Sequence, residues 1–480
     1  MNDYPELRLL IDGEWRGGST GATQDVINPA TEEVLGALPV ASAEDLDAAL
    51  ESSGRGFAIW RAMSCYERAR IMMMAAQLIR ERNELIAIAV TLENGKPLAE
   101  SRMEVGTVAD ILEFSAEEGK RLHGRIVEGR AAGVQHHVVK EPVGVCLAIT
   151  PWNFPINTVA KKTGAALGAG CSLILKASNE TPASAILLVQ ALMDAGLPAG
   201  VVNVVFGPSA QLTRHLMSSS IVRKVSLTGS VPVGKQLAAM AADRMQRLTM
   251  ELGGHAPVVV FDDVDIGKAV DLLVPGKFRN AGQICISPTR FFVQEAIYSD
   301  FVKAFSERAA AIKVGDGMTR GTMMGPLANA RRLAAMDDFV ADAKSRGSTI
   351  TTGGERVGER GYFFAPTVIE NAADDSLLMT EEPFGPMAPM TRFRSIDEVA
   401  ERANALELGL ASYALTNSLE RATRIGEALQ AGMVGINTVA IAIPETPFGG
   451  VKESGYGVEG GPESLDHYVV PKSIAMKPGL

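Results

Sequence analysis

Apolar and polar positions follow three patterns along the chain, and each predicts a different kind of element. From about 43 to 118, Ala, Leu, Met and Ile recur on a helical period between charged residues, which predicts helix with a buried stripe. The Met72-Met73-Met74 run reads as core-facing there, with no ligand role for its sulfurs. From about 143, short continuous apolar runs take over: Val143–Ile149, Ser172–Leu175, Val201–Phe206 and Lys224–Leu227. Stretches at 158–169, 181–195 and 209–218, each long enough for a helix, separate them. Apolar strands joined by helical crossovers predict a parallel sheet covered on both faces. A second such unit begins at Pro257–Phe261. It continues through Phe291–Val293, a helix at 297–313, Phe363–Val368, Ala411–Leu415 and a helix at 418–431.

Two stretches fit neither unit. Arg125–Val127 and Gln135–Val139 read as strands joined by a turn, and Asp466–Val470 as another, with no obvious partner. His136 and His137 would face opposite ways on such a strand, which argues against a shared metal. No internal repeat, low-complexity segment or long linker divides the chain.

Composition narrows the classes. A chain of 480 residues holds two or three domains, and 46% hydrophobic with 21% charged residues is ordinary for a soluble globular protein. A net charge of −10 argues against a nucleic-acid partner, which needs clustered Lys and Arg. Cys65, Cys146, Cys171 and Cys285 are far apart, which suits neither a disulfide framework nor a metal site and points to a reducing compartment. Cys146 and Cys171 sit in apolar runs and read as core residues. Asp3 and Glu6 precede any apolar run, unlike a signal peptide, and no run approaches the roughly 18 apolar residues of a membrane span. The expectation is a cytoplasmic protein with no membrane partner.

Cys285 carries the strongest chemical signal. It ends Asn280-Ala281-Gly282-Gln283-Ile284-Cys285, a turn-rich stretch before the apolar Arg290–Val293. Upstream stands Glu251-Leu252-Gly253-Gly254, a carboxylate followed by a flexible bend. A free thiol with a pKa of about 8.5 is mostly protonated near neutrality, so a carboxylate on a second bend is a candidate base. Alone, Glu251 reads as a surface carboxylate. Asn153, in Thr150-Pro151-Trp152-Asn153-Phe154-Pro155, reads as a turn residue between two prolines.

Together these three segments resemble the signature of the NAD(P)-dependent aldehyde dehydrogenase superfamily. The resemblance runs from Leu10–Trp15 and Asn28–Thr31 to Tyr456-Gly457. It implies an α/β fold: a Rossmann-like cofactor domain (1–117 and 141–250), an α/β thiol domain (251–445) and a small β oligomerisation extension (118–140 and 460–480). A homodimer or homotetramer is implied with it. Cys285 would be the nucleophile and Glu251 the general base. The amide of Asn153 and the backbone N–H of Cys285 would meet the alkoxide formed on addition, where losing one donor typically costs about 100–1000-fold. Glu459, in Gly457-Val458-Glu459-Gly460-Gly461, matches a second, proton-assisting glutamate.

The cofactor motif is not the common one, since no G-x-G-x-x-G follows a strand. Instead Leu227-Thr228-Gly229-Ser230 leads into a helix at Val231–Met240, with Gly234 in its first turn. Gly229 would let the backbone approach, and Ser230 with the helix N-terminus would offer donors to a pyrophosphate. A plain helix cap fits the same spacing. The resemblance adds Thr150, Pro151, Trp152 and Leu252, with Lys176 and the following Ser178 and Asn179 at the adenosine ribose. It also adds Gly207 at the adenine, and Glu382 and Phe384 at the nicotinamide. Many NAD-preferring members carry Glu where this chain has Asn179. An amide there can donate to a 2′-phosphate, so NADP is expected to serve at least as well as NAD, although Glu180 stands next door. No metal is implied.

Arg279, in Lys277-Phe278-Arg279-Asn280, resembles the arginine of the semialdehyde branch that meets the substrate's distal carboxylate. Lys161 stands where succinate semialdehyde dehydrogenases have Arg, keeping the charge and losing the bidentate fork. Structural ion pairing is the competing reading of both. Ser287 replaces a second Cys found in many succinate semialdehyde enzymes, so Cys285 has no disulfide partner there. Ile286–Arg290, Pro447–Lys452 and Gly460–Glu463 look closer to 2-oxoglutarate semialdehyde (2,5-dioxopentanoate) dehydrogenases. The function implied is irreversible NAD(P)-dependent oxidation of a dicarboxylic semialdehyde (succinate, 2-oxoglutarate or glutarate semialdehyde) through a Cys thiohemiacetal and thioester. A non-catalytic dinucleotide-binding protein of the same fold is the alternative from another class. A thiol hydrolase would need a His partner, and only His255 lies near either motif. A CoA-acylating enzyme is disfavoured by Glu251 as a hydrolytic base.

Overall fold

The structure, a computed structural model, describes residues 4–477; Asp3 and positions 478–480 of the expected extension lie outside them. Its larger sheet has the order Glu14–Arg16, Leu9–Ile11, Val202–Val205, Ser172–Lys176, Val145–Ile149, Val222–Thr228, Arg247–Glu251, Gly455–Tyr456. The five strands from Val202–Val205 to Arg247–Glu251 are parallel. Three of them are buried at every position, which is why they read as continuous apolar runs. The chain steps outward from Val145–Ile149 to Val202–Val205, then returns to the other side at Val222–Thr228. The strand order reverses between those two neighbours, and in such sheets ligands bind beyond the carboxyl ends at that reversal.

The second sheet runs Thr349–Thr352, Thr367–Glu370, Met387–Phe393, Arg290–Gln294, Pro257–Val260, Ala411–Leu415, Met433–Ile436, all parallel except the first. Glu251 ends a strand of the first sheet and Pro257 begins one of the second. The turn between them therefore sits where the carboxyl edge of one sheet meets the amino edge of the other. Arg125–Glu128, Gln135–Pro142 and Val469–Met476 form a separate three-stranded antiparallel sheet. They partner one another, which resolves their lack of partners in either α/β unit.

Several expectations need revision. The helical stretch is four helices, Ala43–Ala62, Cys65–Glu81, Asn83–Asn94 and Leu98–Gly119. Capping boxes at Ser42 and Ser64 start the first two, and Gly95 (φ 90) ends the third. Met72 is buried but Met74 is exposed, because one helical stripe cannot hold three consecutive positions. The strand expected at Phe363–Val368 forms at Thr367–Glu370, after Pro366, which has no N–H to pair. Asp466 closes a short helix, Glu463–Asp466, and the strand starts at Val469.

Candidate active site

Cys285 lies in the loop between the helix Ile266–Phe278 and the strand Arg290–Gln294. Ahead of it, Asn280, Ala281 and Gly282 have φ of 47°, 54° and 72°, three consecutive left-handed residues. For the two that carry a Cβ this costs roughly 1–3 kcal/mol each, so the surroundings must over-determine it. The tethers are visible. The Asn280 backbone N–H donates to Glu100 Oε2 at 2.9 Å and its side-chain amide to the Asn153 carbonyl at 2.9 Å. Gln283 donates back to the Asn280 carbonyl at 3.0 Å and accepts from Ala328 N at 2.9 Å. A Cβ on Gly282 would stand 2.2 Å from the Gly385 carbonyl oxygen, so glycine is required here on two counts.

The Glu251 turn presses against this loop. A Cβ on Gly254 would meet the Cys285 carbonyl oxygen at 2.8 Å, and one on Gly253 would meet Glu382 Oε2 at 2.8 Å. The two glycines thus allow the carboxylate, the thiol and Glu382 to crowd together. Burial, reinforced by Glu459, pushes the Glu251 carboxyl up to about 7 against the pull of Lys161 and Lys162. Burial, and then the Glu251 and Glu382 carboxylates, push the Cys285 thiol well above its usual range. The resting proton therefore sits on sulfur, facing a carboxylate whose affinity for it is already raised. Burial likewise lifts Glu382 to about 8.

Asn153 is buried, and its side-chain amide donates to the Gln283 carbonyl at 3.1 Å. That uses one of its two N–H groups. Cys285, Glu251, Asn153 and Glu459 share one cavity of about 640 Å³. Pro151, Trp152, Gly229, Ser230 and Leu252 line it, as do Glu382 and Phe384. Phe384 meets Trp152 edge to face at 5.5 Å. Glu459 pairs with Lys162, a fully buried lysine that also donates to Ser226 Oγ at 3.1 Å.

The remaining cofactor candidates continue from this cavity along the carboxyl edge of the first sheet. Thr150 follows one parallel strand, Lys176 ends the next and Gly207 follows a third, while Gly229, in the cavity lining, follows Val222–Thr228. Polar groups here lack partners among the described residues: Thr150 Oγ1, Thr228 Oγ1 and Glu180 Oε2 are buried without a hydrogen bond. Ser230 makes no capping bond to its helix, Val231–Ala242. Lys176 is buried with its amine pushed down to about 8 by desolvation. Such an edge suits a ligand rich in hydroxyls and phosphates, as a nicotinamide dinucleotide is. Gly234 permits the close fit of that helix, since a Cβ would meet Leu252 Cδ1 at 2.5 Å. Ser178 is spent locally, accepting from Glu180 N at 3.2 Å. Asn179 is a correction: its amide donates to the Gly207 carbonyl at 3.0 Å and to Gln24 at 3.1 Å. One hydrogen holds the Gly207 turn and the other is engaged by the Gln24 side chain at the surface.

Lys161 and Arg279 line the same cavity. Lys161 Nζ lies 3.5 Å from the Phe448 ring centroid, and the Arg279 guanidinium 5.3 Å from that of Phe154. Among the described residues neither forms a salt bridge, although Arg279 acts on the buried Glu100 and Lys161 on Glu251. His255 is buried, 3.1 Å from the Leu378 carbonyl and pushed well below its usual range by burial, and it does not line the cavity. The thiol thus has a carboxylate beside it and no imidazole.

Residues 15–474 match the aldehyde dehydrogenase family. This chain belongs to that family. It is 45% identical, over 97% of each chain, to 4-(hydroxymethyl)benzenesulfonate dehydrogenase from Comamonas testosteroni. It is 41% identical to the NADP(+) succinate-semialdehyde dehydrogenase of Escherichia coli K12, covering 99% of each. The crystal structure of succinate-semialdehyde dehydrogenase from Burkholderia pseudomallei superposes with a TM-score of 0.97 at 41% identity, covering 98% of each chain. The fold is that of the aldehyde dehydrogenases, and the protein is an NAD(P)-dependent aldehyde-oxidising enzyme. Among the described residues of this aldehyde dehydrogenase there is no metal-holding group of three or more His, Cys, Asp or Glu, and no helix long and apolar enough to cross a membrane.

Sequence reasoning missed Lys162, Glu100 and Arg332. Arg332 lines the cavity, donates to the Pro383 carbonyl and leaves Nε buried without a partner. Lys162 follows the expected Lys161 directly in sequence, and a helix buried on nearly every side turns it inward. Only the position of Lys162 within an apolar helix could have signalled it.

Proposed function

We propose that this aldehyde dehydrogenase oxidises an aldehyde carrying an anion at its far end, a dicarboxylic semialdehyde foremost, and takes NADP⁺ at least as readily as NAD⁺. The observation that carries the reading is a pair of cations, Lys161 and Arg279, seated on aromatic rings in the cavity that holds the thiol. Neither cation is bonded to a carboxylate, although Lys161 acts on Glu251 and Arg279 on Glu100, so both can serve a ligand that brings a negative charge. The relatives point the same way, being named for succinate semialdehyde and for a benzenesulfonate. A sulfonate-tailed aldehyde is the second reading. It is favoured by Lys161, because a three-oxygen anion has no need of the planar guanidinium fork that matches a carboxylate.

The residues divide the work as follows. Glu251 takes the Cys285 proton, and the thiolate adds to the carbonyl carbon. The alkoxide meets the free N–H of Asn153 and the backbone N–H of Cys285. The bound nicotinamide coenzyme supplies the acceptor for the aldehyde hydrogen, leaving a thioester on Cys285. Glu251 gives up that first proton toward solvent by way of Glu459, held by Lys162, and then draws a second from the water that hydrolyses the thioester and releases the acid. Glu382, Phe384, Trp152 and Leu252 would shape the nicotinamide end. Gly229, Ser230, Gly207 and Lys176 would hold the rest, with Lys176 as the cation for a 2′-phosphate in place of Asn179.

The same reading assigns 1–117 with 141–250 to the coenzyme and 251–445 to the thiol. The three-stranded sheet, with Ile126, Val127, Ile474 and Met476 exposed, would join a homodimer or homotetramer. Light scattering should then give two or four times the 50.8 kDa of one chain.

Arg279→Ala tests the anion site. Loss of a charge-assisted bond of about 1.5–3 kcal/mol should raise KM for succinate semialdehyde roughly 10–100-fold and leave propanal nearly unchanged. Equal effects on both would end the anion-site reading. A kcat/KM for NAD⁺ a hundredfold above that for NADP⁺ would end the coenzyme reading.

A further inference from the structure

The turn that carries Asn153 is gripped by one short segment, Asn94–Glu104, of which Glu100, Met103 and Glu104 also line the cavity. Asn94 donates its amide to the Trp152 carbonyl at 2.9 Å. Lys96 donates to the Asn153 carbonyl at 2.8 Å and to Glu104 Oε2 at 2.6 Å. The other Glu104 oxygen accepts from the backbone N–H groups of Ile156 and Asn157, at 3.2 and 3.1 Å. Four backbone groups between Trp152 and Asn157 are thereby fixed by three side chains. Phe154 lies under the Lys96 ammonium at 4.0 Å, which closes the grip on its apolar side.

The gripping segment is itself immobilised. Lys96 and Glu104 have side chains only 1% and 2% exposed. A Cβ on Gly325 would fall 2.0 Å from the Gly95 carbonyl oxygen, and one on Gly317 would fall 2.4 Å from that of Lys96. The backbone around Lys96 is therefore wedged against the segment 315–325. The Asn153 carbonyl also accepts from the Asn280 amide, and the Asn153 amide donates to Gln283 O. One peptide thus links the grip on one side to the left-handed thiol loop on the other.

A buried ion pair is weak evidence for stability, because desolvating two charges offsets most of their attraction. Its geometry here suits another role. We propose that Lys96 and Glu104, with Asn94, are positioning residues that aim the Asn153 amide at the carbonyl oxygen of the bound aldehyde. The proposal rests on Asn153 being an alkoxide donor. A catalytic donor displaced by about 1 Å loses on the order of 100-fold in rate, so a clamp on its carbonyl has an effect that kinetics can read.

The test is the pre-steady-state burst of reduced nicotinamide in Asn153→Ala, Lys96→Met and the double variant. It is accompanied by fluorescence titration of NADPH to read coenzyme affinity separately. Lys96→Met should slow the burst about 10–100-fold with NADPH affinity changed less than twofold. The double variant should be no slower than Asn153→Ala alone, because the clamp acts through that amide. If Lys96→Met does not fold, Glu104→Gln serves. It keeps an acceptor for Ile156 and Asn157 but gives up the charge holding Lys96, and should slow the burst several-fold, again without adding to Asn153→Ala. A slow Asn153→Ala beside a full-speed folded clamp variant, or multiplicative losses in the double, would overturn the clamp alone. A full-speed Asn153→Ala would overturn the alkoxide-donor reading, and the clamp with it.

Discussion

The two sides of the cleft are prepared for chemistry in different ways. Along the carboxyl edge of the first sheet, Thr150, Thr228 and Glu180 leave buried oxygens without partners among the described residues, and Lys176 is buried within reach of the Glu180 charge. On the thiol side, Asn280, Gln283 and Asn153 bond one another, and three left-handed residues are held by Glu100, Ala328 and the Gly385 contact. Side-chain oxygens without partners occur on both sides, Asn153 Oδ1, Asn280 Oδ1 and Glu251 Oε1 included, so the difference lies in the backbone. The thiol loop is over-determined by its tethers, so that a nucleophile and a donor are held in place. A coenzyme that must bind and leave each turnover suits the sheet edge, and a reacting carbon that tolerates little misplacement suits the thiol loop.

That contrast can be broken from the thiol side first. Cys285→Ser should lower kcat by about 10⁴-fold or more while reduced coenzyme still binds, since the nucleophile is lost and the other edge is untouched. Glu251→Gln should cost about 100–10,000-fold in kcat. It should also abolish the pH dependence that the parent shows. A base with a pKa of about 7 works only when deprotonated, so kcat/KM of the parent should rise with pH up to about 7 and level off above about 8. A flat parent profile from pH 6 to 8 would contradict this. Gly282→Ala adds a Cβ to a residue at φ 72° that already abuts Gly385. A shift of the loop of about 1 Å should cut kcat roughly 100-fold, read by the same assay, with coenzyme affinity retained. The smallest effect belongs to the sheet-edge side. Lys176→Met should weaken NADPH binding about tenfold and NADH binding less, by fluorescence titration, with kcat at saturation little changed.

The same division explains what was legible in the sequence. The thiol loop, the Glu251 turn and the Asn153 turn are short local motifs whose glycines and prolines announce their bends, and the structure gathers all three around one cavity. The apolar parallel strands of the first sheet were legible because burial on both faces writes them as continuous runs. The second sheet was harder. Met387–Phe393 carries Pro389 inside a buried strand, and Ile266–Phe278 carries Pro275 inside a helix, so each breaks its own pattern. Lys96, Glu104 and Lys162 were invisible because ordinary charged residues become buried partners only through contacts made after folding. Asn179 shows the reverse, a residue at an informative position whose amide the fold commits elsewhere.

The central claim is that the aldehyde carbon spends part of the cycle bonded to Cys285. Rapid-quench mass spectrometry of the enzyme, mixed with NADP⁺ and succinate semialdehyde, tests it directly, because the thioester should form in the same step that reduces the coenzyme. The account predicts a succinyl adduct on the peptide containing Cys285, accumulating in step with coenzyme reduction. Coenzyme reduction with no adduct, or with the acyl group on another residue, would contradict it.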